Sequence, residues 1–315
     1  MSNNRGASPV LNHVVISENQ GDGICNRDSS PILTHVTISK NIGSGMENFS
    51  SCPLLTEVTI SENVSTSEAG GIYNNESHPL LVNVIISGNK GVSGGGIENV
   101  ASHPILVNVV ISGNVSEGKG GGIYNYYEDS PVLIHVTISG NTAREGGGIV
   151  FAINDSTVLY NTIVFGNSSG IVQQNNNHLV SFYHSLVQGM SAEELNTSGM
   201  GNLDANDITG AVFTAPLNPS STPATGGDYR LAKGSAVIDK GNPDCWNVAR
   251  AYFPIPLKYQ HWEYPNDNLT YKAISVLNEK SLTDILTSNG IAITDLDGKK
   301  RVSGVIDLGA YENEK

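Results

Sequence analysis

Short blocks of alternating apolar and polar residues recur over residues 9–189. Most copies begin at a proline, as in PILTHVTISKN from Pro31 and PILVNVVISGN from Pro104, and a second block of the form G-I-x-N follows each of them. The apolar residues that follow the proline lie too close together for a helical period, whereas V-x-I alternates with the period of a strand. The pattern predicts three short β-strands in each repeat.

The repeat length runs from 22 to 27 residues between successive prolines. A period in this range is typical of a solenoid, in which apolar residues are buried only by stacking one repeat on the next. We expect apolar columns inside the coil, with Leu81, Val84, Ile86 and Ile72 as the members from one repeat. The Asn residues that close the two blocks are predicted at corners, where Asn tolerates left-handed backbone and its amide can bond to the coils above and below.

These motifs resemble the right-handed parallel β-helix of the pectin-lyase-like superfamily, and more closely the choice-of-anchor-type surface β-helix proteins of Bacteroidetes. The resemblance rests on P-x-L-x-N-V-x-I-S-G-N and G-G-G-I-Y-N in the repeats, and on LDAND at 203–207, GDYRLAKGSAVIDKGN at 227–242 and DLDGKKRVSGVIDLGAYE at 295–312. It implies an all-β, single-stranded right-handed parallel β-helix of about eight coils over 8–189, and an extracellular or cell-surface location. Leucine-rich and helical repeats are the alternative solenoids. Neither fits, because residues 8–189 contain no L-x-x-L-x-L-x-x-N pattern and no stretch that reads as an amphipathic helix.

Two regions follow from this pattern. Residues 1–189 carry the repeats, and residues 190–315 lose the period and are predicted to form an irregular cap over the open end of the coil. Inside the cap, 243–293 is an aromatic-rich insertion. Residues 2–8 align with the end of a coil, so we expect further sequence upstream of this chain.

Charge and composition exclude several partner classes. The net charge is −13, with no basic patch for phosphate contacts, so nucleic acid is not an expected partner. No stretch approaches the roughly 20 apolar residues of a membrane-spanning helix, and the chain as given opens without a signal segment. The chain has three cysteines, Cys25, Cys52 and Cys245, which are too few for a disulfide scaffold. Their number does not indicate whether the protein works in an oxidising or a reducing compartment.

Candidate catalytic groups would lie among the outward side chains of two predicted sheets. The V-x-I-S strands present no ionisable group, so neither a base nor a stabilising cation is expected there. The G-I-x-N strands present Glu47 and Glu98, two coils apart and thus separated by about twice 4.8 Å, near the upper end of the range of inverting glycosidases. The sequence offers no reason for a raised pKa at either residue. We therefore lean against an enzyme, with a polysaccharide lyase or glycoside hydrolase as the alternative.

Ligand binding is the favoured function, at one of two places. Tyr73, Glu98 and Tyr124 form an outward column, predicted to be exposed, beside corner loops of variable length, and flat aromatic rings suit sugars. The rival place is the aromatic-rich insertion with Trp246 and Trp262, although a packed lid is the plainer explanation of that segment. We predict a non-catalytic surface or secreted protein that binds glycan or another surface component.

No cofactor and no metal centre are expected. Cys52, His78 and His103 fall in adjacent coils, but side chains in one column are parallel and do not converge on a single point as zinc ligands must. Asp295 and Asp297, in the D-L-D-G motif, look like part of a cation loop that lacks its further oxygen ligands. These two aspartates are the only metal candidates that the sequence offers.

Overall fold

Parallel β-sheet dominates the computed structural model, which describes residues 1–175, 178–243, 245, 286–287, 290–292, 294–299 and 306–312. Each turn of the chain contributes one strand to each of three long parallel sheets. Sheet A contains Ser2–Asn4, Ile24–Arg27, Met46–Phe49, Ile72–Asn75, Ile97–Val100, Ile123–Asn125, Ile149–Phe151 and Ile171–Gln173. Sheet B contains Val10–Asn12, Ile32–Thr34, Leu54–Thr56, Leu80–Val82, Ile105–Val107, Val132–Ile134, Val158–Tyr160, Ser181–Tyr183 and Gly199–Met200.

Sheet C completes the coil with the V-x-I-S strands. It contains Val15–Ser17, Thr37–Ser39, Thr59–Ser61, Ile85–Ser87, Val110–Ser112, Thr137–Ser139, Ile163–Val164, Leu186–Val187 and Leu203–Asp204. Seven complete three-stranded turns lie between Val10 and Gln173, with partial turns at both ends. The predicted all-β parallel solenoid is confirmed, with about seven full turns where about eight were expected.

The core of the solenoid is built from the predicted columns. Strands pair in a constant register, so that Ile60, Ile86 and Ile111 are successive neighbours in sheet C. Leu81 and Val84 from the same turn as Ile86 are 1% and 0% exposed, and they belong to one continuous core cluster. Burial of like residues above and below one another removes their apolar area from water, which is the main stabilisation available to so short a strand.

Two asparagine ladders run along the solenoid, as predicted. The first lies at a corner, whereas the second lies inside the strands of sheet A and not at the corner that was predicted for it. In the first, Asn63 Nδ2 donates to Asn89 Oδ1 at 3.0 Å, and Asn89 Nδ2 donates to Asn114 Oδ1 at 3.0 Å. In the second, Asn74 Nδ2 donates to Asn99 Oδ1 at 2.9 Å. These amides are buried, so the ladders satisfy polar groups that the solenoid encloses.

The left-handed backbone predicted for these asparagines lies elsewhere. The residue before each asparagine of the first ladder has a positive φ, for example Lys40 at 57° and Glu62 at 56°. The asparagine side chain must point inward to reach the ladder, so its neighbour makes the corner instead. The prediction was therefore correct for the ladders and wrong for the residue that turns the chain.

A third ladder at the corner between sheets A and B was not predicted. It starts with serines, in which Ser51 N donates to Ser77 Oγ at 3.0 Å, and continues with aspartates, in which Asp129 N donates to Asp155 Oδ1 at 3.1 Å. Ser77, Asp129 and Asp155 are 0% exposed. Side chains at this corner thus accept the backbone N–H groups of the preceding turn, which are otherwise unpaired.

The end of the solenoid is closed by the short helix Ala192–Thr197, which begins with a capping box between Ser191 and Glu194. Its Leu195 is 2% exposed and joins the core cluster together with Met190. Further along lie the short 3-10 helices Ala205–Asp207 and Pro219–Ser221, and an antiparallel pair of strands, Phe213–Ala215 and Asp228–Leu231.

The rest of the described C-terminal region packs on the sides of the solenoid. Outward residues of sheet C, such as Val110 and Ile163, are buried against Phe213, Tyr229 and their neighbours. Outward residues of sheet B form a cluster that includes Cys245. The region predicted as a cover for the open end therefore also covers two of the three sheets, because their outward columns are apolar.

One segment of this region, 217–225, runs across several turns, and we call it the strap. Thr225 Oγ1 donates to Glu62 Oε1 at 3.2 Å, and Thr142 Oγ1 donates to the Pro219 carbonyl at 2.7 Å. Ala224 N donates to the Gly113 carbonyl at 3.1 Å. Polar contacts thus attach the strap to the sheet C corner of three different turns.

Candidate ligand-binding face

Sheet A presents the predicted column in register. Glu47 pairs with Tyr73, Tyr73 with Glu98, and Glu98 with Tyr124 in successive parallel strands. Two residues further along each strand a second outward column contains Arg27, Phe49, Asn75 and Val100. The face of sheet A therefore carries acidic and aromatic groups, unlike the apolar faces of sheets B and C.

The corner loops at 64–70, 90–95, 115–121 and 142–147 stack into a continuous wall beside this column, and we call it the loop wall. Lys90–Gly91 and Val115–Ser116 pair as parallel strands. Isolated bridges extend the stack from Val64 to Thr142, so the loops are bonded to one another through their backbones. Lys90 Nζ lies 2.8 Å from Glu117 Oε1 on the outside of the wall. The length-variable loops thus form an ordered edge to the face.

The predicted exposure of the column is wrong. Tyr73 is 8% exposed, while Glu98 and Tyr124 are each 6% exposed. The loop wall causes this burial: a Cβ on Gly94 would meet Glu98 Cβ at 2.7 Å, and one on Gly120 would meet Tyr124 Cβ at 2.7 Å. Both glycines have φ near +60° and lie directly against the column. The G-G-G-I motif therefore allows the loops to close over the sheet.

Both candidate carboxylates have raised pKa values, contrary to the expectation from the sequence. Burial raises the pKa of Glu98 to about 8, and the charge of Glu68 adds to the effect. Burial, followed by the charge of Asp22, also raises the pKa of Glu47, against an opposing effect of Arg27. Glu98 Oε2 is enclosed and has no hydrogen-bond partner in the described structure. Enclosure of the column thus favours the protonated form of the Glu98 carboxyl group.

Exposed aromatic rings lie next to the column. Tyr126 and Tyr127 are 45% and 42% exposed, and the ring centroids of Tyr124 and Tyr126 are 5.9 Å apart. Lys119 Nζ lies 5.9 Å from the centroid of the Tyr124 ring, within cation–π range. Tyr126 and Tyr127 are the functional candidates that sequence reasoning missed. Strand alternation could have found Tyr126, because it lies two residues after Tyr124 and so on the same face.

Of the remaining candidates, some make contacts that support the fold, and others lie outside the described residues. Asp295 accepts backbone N–H bonds from Lys299 at 2.7 Å and from Glu312 at 2.9 Å, so its carboxylate closes a turn. Asp297 is exposed. His78 and His103 stack in parallel with ring centroids 4.8 Å apart. Within the described ranges, no group of three or more His, Cys, Asp or Glu side chains could hold a metal ion.

Trp246 and Trp262, the rival ligand-binding residues, lie outside the described residues. Cys245, which precedes Trp246 in the chain, lies within the described residues and is 1% exposed. Its Sγ lies 3.4 Å from His135 Nε2 in the cluster on sheet B. In the described part of the chain, no helix has the length and apolar character needed to cross a membrane.

Comparisons with known proteins give short or distant matches. A model of the Chlamydia polymorphic membrane protein repeat matches residues 108–126, one turn that includes part of the loop wall and Tyr124. No curated protein matches the chain. Among solved structures, pectate lyase Pel9A is similar at 13% identity with a TM-score of 0.39, covering 76% of this chain and 64% of the lyase. This chain therefore spans less than two thirds of the length of that enzyme.

A second solved structure is QnrB1, a plasmid-mediated fluoroquinolone resistance protein, at 11% identity with a TM-score of 0.20, covering 65% of this chain and 94% of that one. The strand pairing itself establishes a parallel β-solenoid of the kind that the pectin-lyase-like resemblance implies. The closer resemblance, to choice-of-anchor-type proteins, stays an expectation.

Proposed function

We propose that this chain is a non-catalytic surface or secreted β-helix protein that binds glycan on the face of sheet A. The observation that carries the proposal is the pair of exposed rings, Tyr126 and Tyr127, beside Tyr124 on a sheet that has an ordered loop wall. Exposed aromatic faces stack on sugar rings, and the Asn and Ser groups nearby supply hydrogen bonds to hydroxyls. Tyr126 and Tyr127 replace the buried Tyr73 and Tyr124 as the stacking surface.

A surface or secreted location is supported by the match of residues 108–126 to a repeat of a polymorphic membrane protein. A long, rigid scaffold with one decorated face also suits a protein that contacts an extended polymer, because successive turns repeat its contacts at the strand spacing of about 4.8 Å. Adhesion through a surface glycan is the specific form of the proposal.

Binding is tested with an array of neutral, acidic and amino-sugar oligosaccharides, followed by titration calorimetry. Tyr126→Ala is expected to weaken binding about tenfold, since stacking on an aromatic ring is worth about 1 kcal/mol or more. Met200→Ala, which removes another exposed apolar side chain, is the matched control. A loss confined to Trp262→Ala would move the site to the insertion, and unchanged binding in Tyr126→Ala would contradict the proposal.

Hydrolysis of a polysaccharide is the second candidate, favoured by one observation. Glu98 is a buried carboxyl group whose pKa is raised to about 8, a property of general acids in glycosidases. Incubation with uronic-acid and neutral polysaccharides, with and without Ca²⁺, would reveal unsaturated products or new reducing ends. Turnover that disappears in both Glu98→Gln and Glu47→Gln would establish the enzyme in place of the binding protein.

A further inference from the structure

Tyr73 is surrounded by acidic groups from three different turns. Glu47 and Glu98 flank it in register on the neighbouring strands, and Glu68 approaches from the loop wall. The charges of Glu68, Glu98 and Glu47 all act on its hydroxyl and help to raise the pKa of Tyr73, after burial as the main cause. Ser44 Oγ, which donates to the Ala69 carbonyl at 2.7 Å, ties the loop to the strand that carries Glu47.

The carboxyl group of Glu98 is the most enclosed acidic group of this cluster. The side chain is 6% exposed, and its Oε2 is enclosed with no hydrogen-bond partner in the described structure. Glu68 is the charged group that acts on it, and that charge has the same sign. A buried, unpaired carboxyl group beside a like charge gains most from a cation or a strong donor supplied from outside.

Cations already lie over two other aromatic rings of the sheet A face. Arg27 Cζ lies 4.1 Å from the centroid of the Phe49 ring, and Lys119 Nζ lies 5.9 Å from that of Tyr124. These pairs show that cation–π geometry fits the strand spacing of this face. Tyr73, on which the charges of Glu47, Glu68 and Glu98 act, has no cation at such a distance in the described structure.

The type of cation follows from the spread of the acidic groups. The described carboxylates do not form a group that could hold a metal ion. An ammonium group suits them better, because it has three N–H donors that can reach separate acceptors while its charge lies against a ring. Glu47 and Glu68 are partly exposed, so such a group can approach from solvent with Glu98 as the floor of the site.

We infer that the glycan bound on sheet A carries free amino groups, as a glucosamine polymer does, and that one ammonium lies against Tyr73 among Glu47, Glu68 and Glu98. The inference rests on the proposed glycan-binding function and adds the chemical class of its ligand. The exposed rings of Tyr126 and Tyr127 hold the sugar, and the acidic cluster selects the amino group.

The test compares three oligosaccharides of equal length by titration calorimetry: glucosamine hexamer, N-acetylglucosamine hexamer and cellohexaose. We expect the glucosamine hexamer to bind about tenfold more tightly than the other two, with an affinity that falls as salt is added. Glu98→Gln and Glu68→Gln should each remove about tenfold of that affinity and leave cellohexaose binding unchanged. Glu117→Gln, an exposed carboxylate on the loop wall, is the matched control.

Equal binding of the three hexamers, or an unchanged preference in both Glu98→Gln and Glu68→Gln, would overturn the inference while the glycan-binding function stands. Failure of all three hexamers and of the wider array to bind would overturn the proposed function itself. Thermal unfolding of each variant separates loss of the site from loss of the fold. Tyr73→Leu, which removes the ring and keeps an apolar side chain, should reduce the amino-sugar preference in a folded protein.

Discussion

The three sheets enclose one continuous buried core, but the face of sheet A differs from the faces of sheets B and C in what lies outside it. On sheet C, Val110 and Ile163 are buried under C-terminal strands, and on sheet B a similar apolar cluster includes Ile105 and Cys245. On sheet A the corresponding positions hold carboxylates and tyrosines beside the loop wall. The inward residues of a repeat therefore encode the coil, and the outward residues encode what each side of the coil contacts.

The largest loss of stability is expected inside the coil, where all three sheets bury apolar side chains in one core. Ile86→Asp leaves an unpaired carboxylate in a column that is 0% exposed, and should cost about 5 kcal/mol or more, enough to unfold the solenoid. Its neighbour Ile85 points outward and is partly exposed, so Ile85→Asp is the matched control. Circular dichroism melts of the two variants give the comparison, and a folded Ile86→Asp protein would contradict it.

The covered face of sheet C and the uncovered face of sheet A should differ in how much a substitution lowers stability. One substitution on each face tests this difference. Val110→Asp should destabilise the docking of the C-terminal region by about 4 kcal/mol, because Val110 is 2% exposed beneath it. Tyr126→Ser on sheet A should change stability by no more than about 0.5 kcal/mol. Limited proteolysis and thermal melts measure both effects. Equal sensitivity of the two variants would show that the faces do not differ in this way.

A smaller effect is expected from the corner ladders. Asn114 accepts two hydrogen bonds from Asn89 and donates to the Ile86 carbonyl and to Asn141 Oδ1, all while 0% exposed. Asn114→Ala should therefore cost about 3 kcal/mol, because buried partners are left unpaired. Asn19→Ala, in the same ladder at its exposed end, should cost much less in urea unfolding. A similar loss in both variants would mean that burial does not set the cost.

The smallest effect concerns pH at the corner between sheets A and B. Burial raises the pKa of Asp155 to about 7, and burial with the charge of Asp155 raises the pKa of Asp129 well above its ordinary value. A raised acid pKa favours folding when the group is protonated, so this stability is full below about pH 4 and is lost as pH rises through about 7. Between pH 5 and 8 the loss from Asp155 is about 2 kcal/mol.

Asp155→Asn should remove most of that slope and raise the melting temperature at pH 8. His178, whose Nδ1 lies 3.7 Å from Asp155 Oδ2, has its pKa lowered by burial and acts in the opposite sense. Melting curves of both proteins across the pH range separate the two groups. A variant that keeps the parent slope would assign the pH dependence to another group.

The solenoid could be predicted from the sequence because every turn contains the same pattern of inward apolar residues and asparagines. Leu81, Val84 and Ile86 alternate with polar residues at the strand period, and the asparagines of the two ladders recur at fixed positions. The left-handed corner residues could be assigned where Gly88, Gly113, Gly140 or Gly166 precedes the asparagine, but not where Lys40 and Glu62 occupy the same position. Their conformation is set by the inward direction of the next asparagine and not by their own preference.

The candidate site was predicted only in part, because its burial depends on contacts between turns. The alternation of sheet A placed Tyr73, Glu98 and Tyr124 in one column, but their enclosure requires Gly94 and Gly120 of the loops to pack on them. The raised pKa of Glu98 is a consequence of that enclosure. The alternation of residues along a strand predicts the side on which a side chain lies. It does not predict whether a loop from the same or another turn covers and buries that side chain.

The strap changes how the solenoid can come apart. A coil held only by adjacent turns behaves as a one-dimensional chain, in which unfolding starts at an end and proceeds one turn at a time. The strap bonds Glu62, Gly113 and Thr142, which belong to different turns, to a single covalent segment between Pro219 and Thr225. A turn in this span cannot leave without detaching contacts made to the others. The middle of the solenoid should therefore melt as a single cooperative unit, while the turn that contains Val10 and Val15 frays independently.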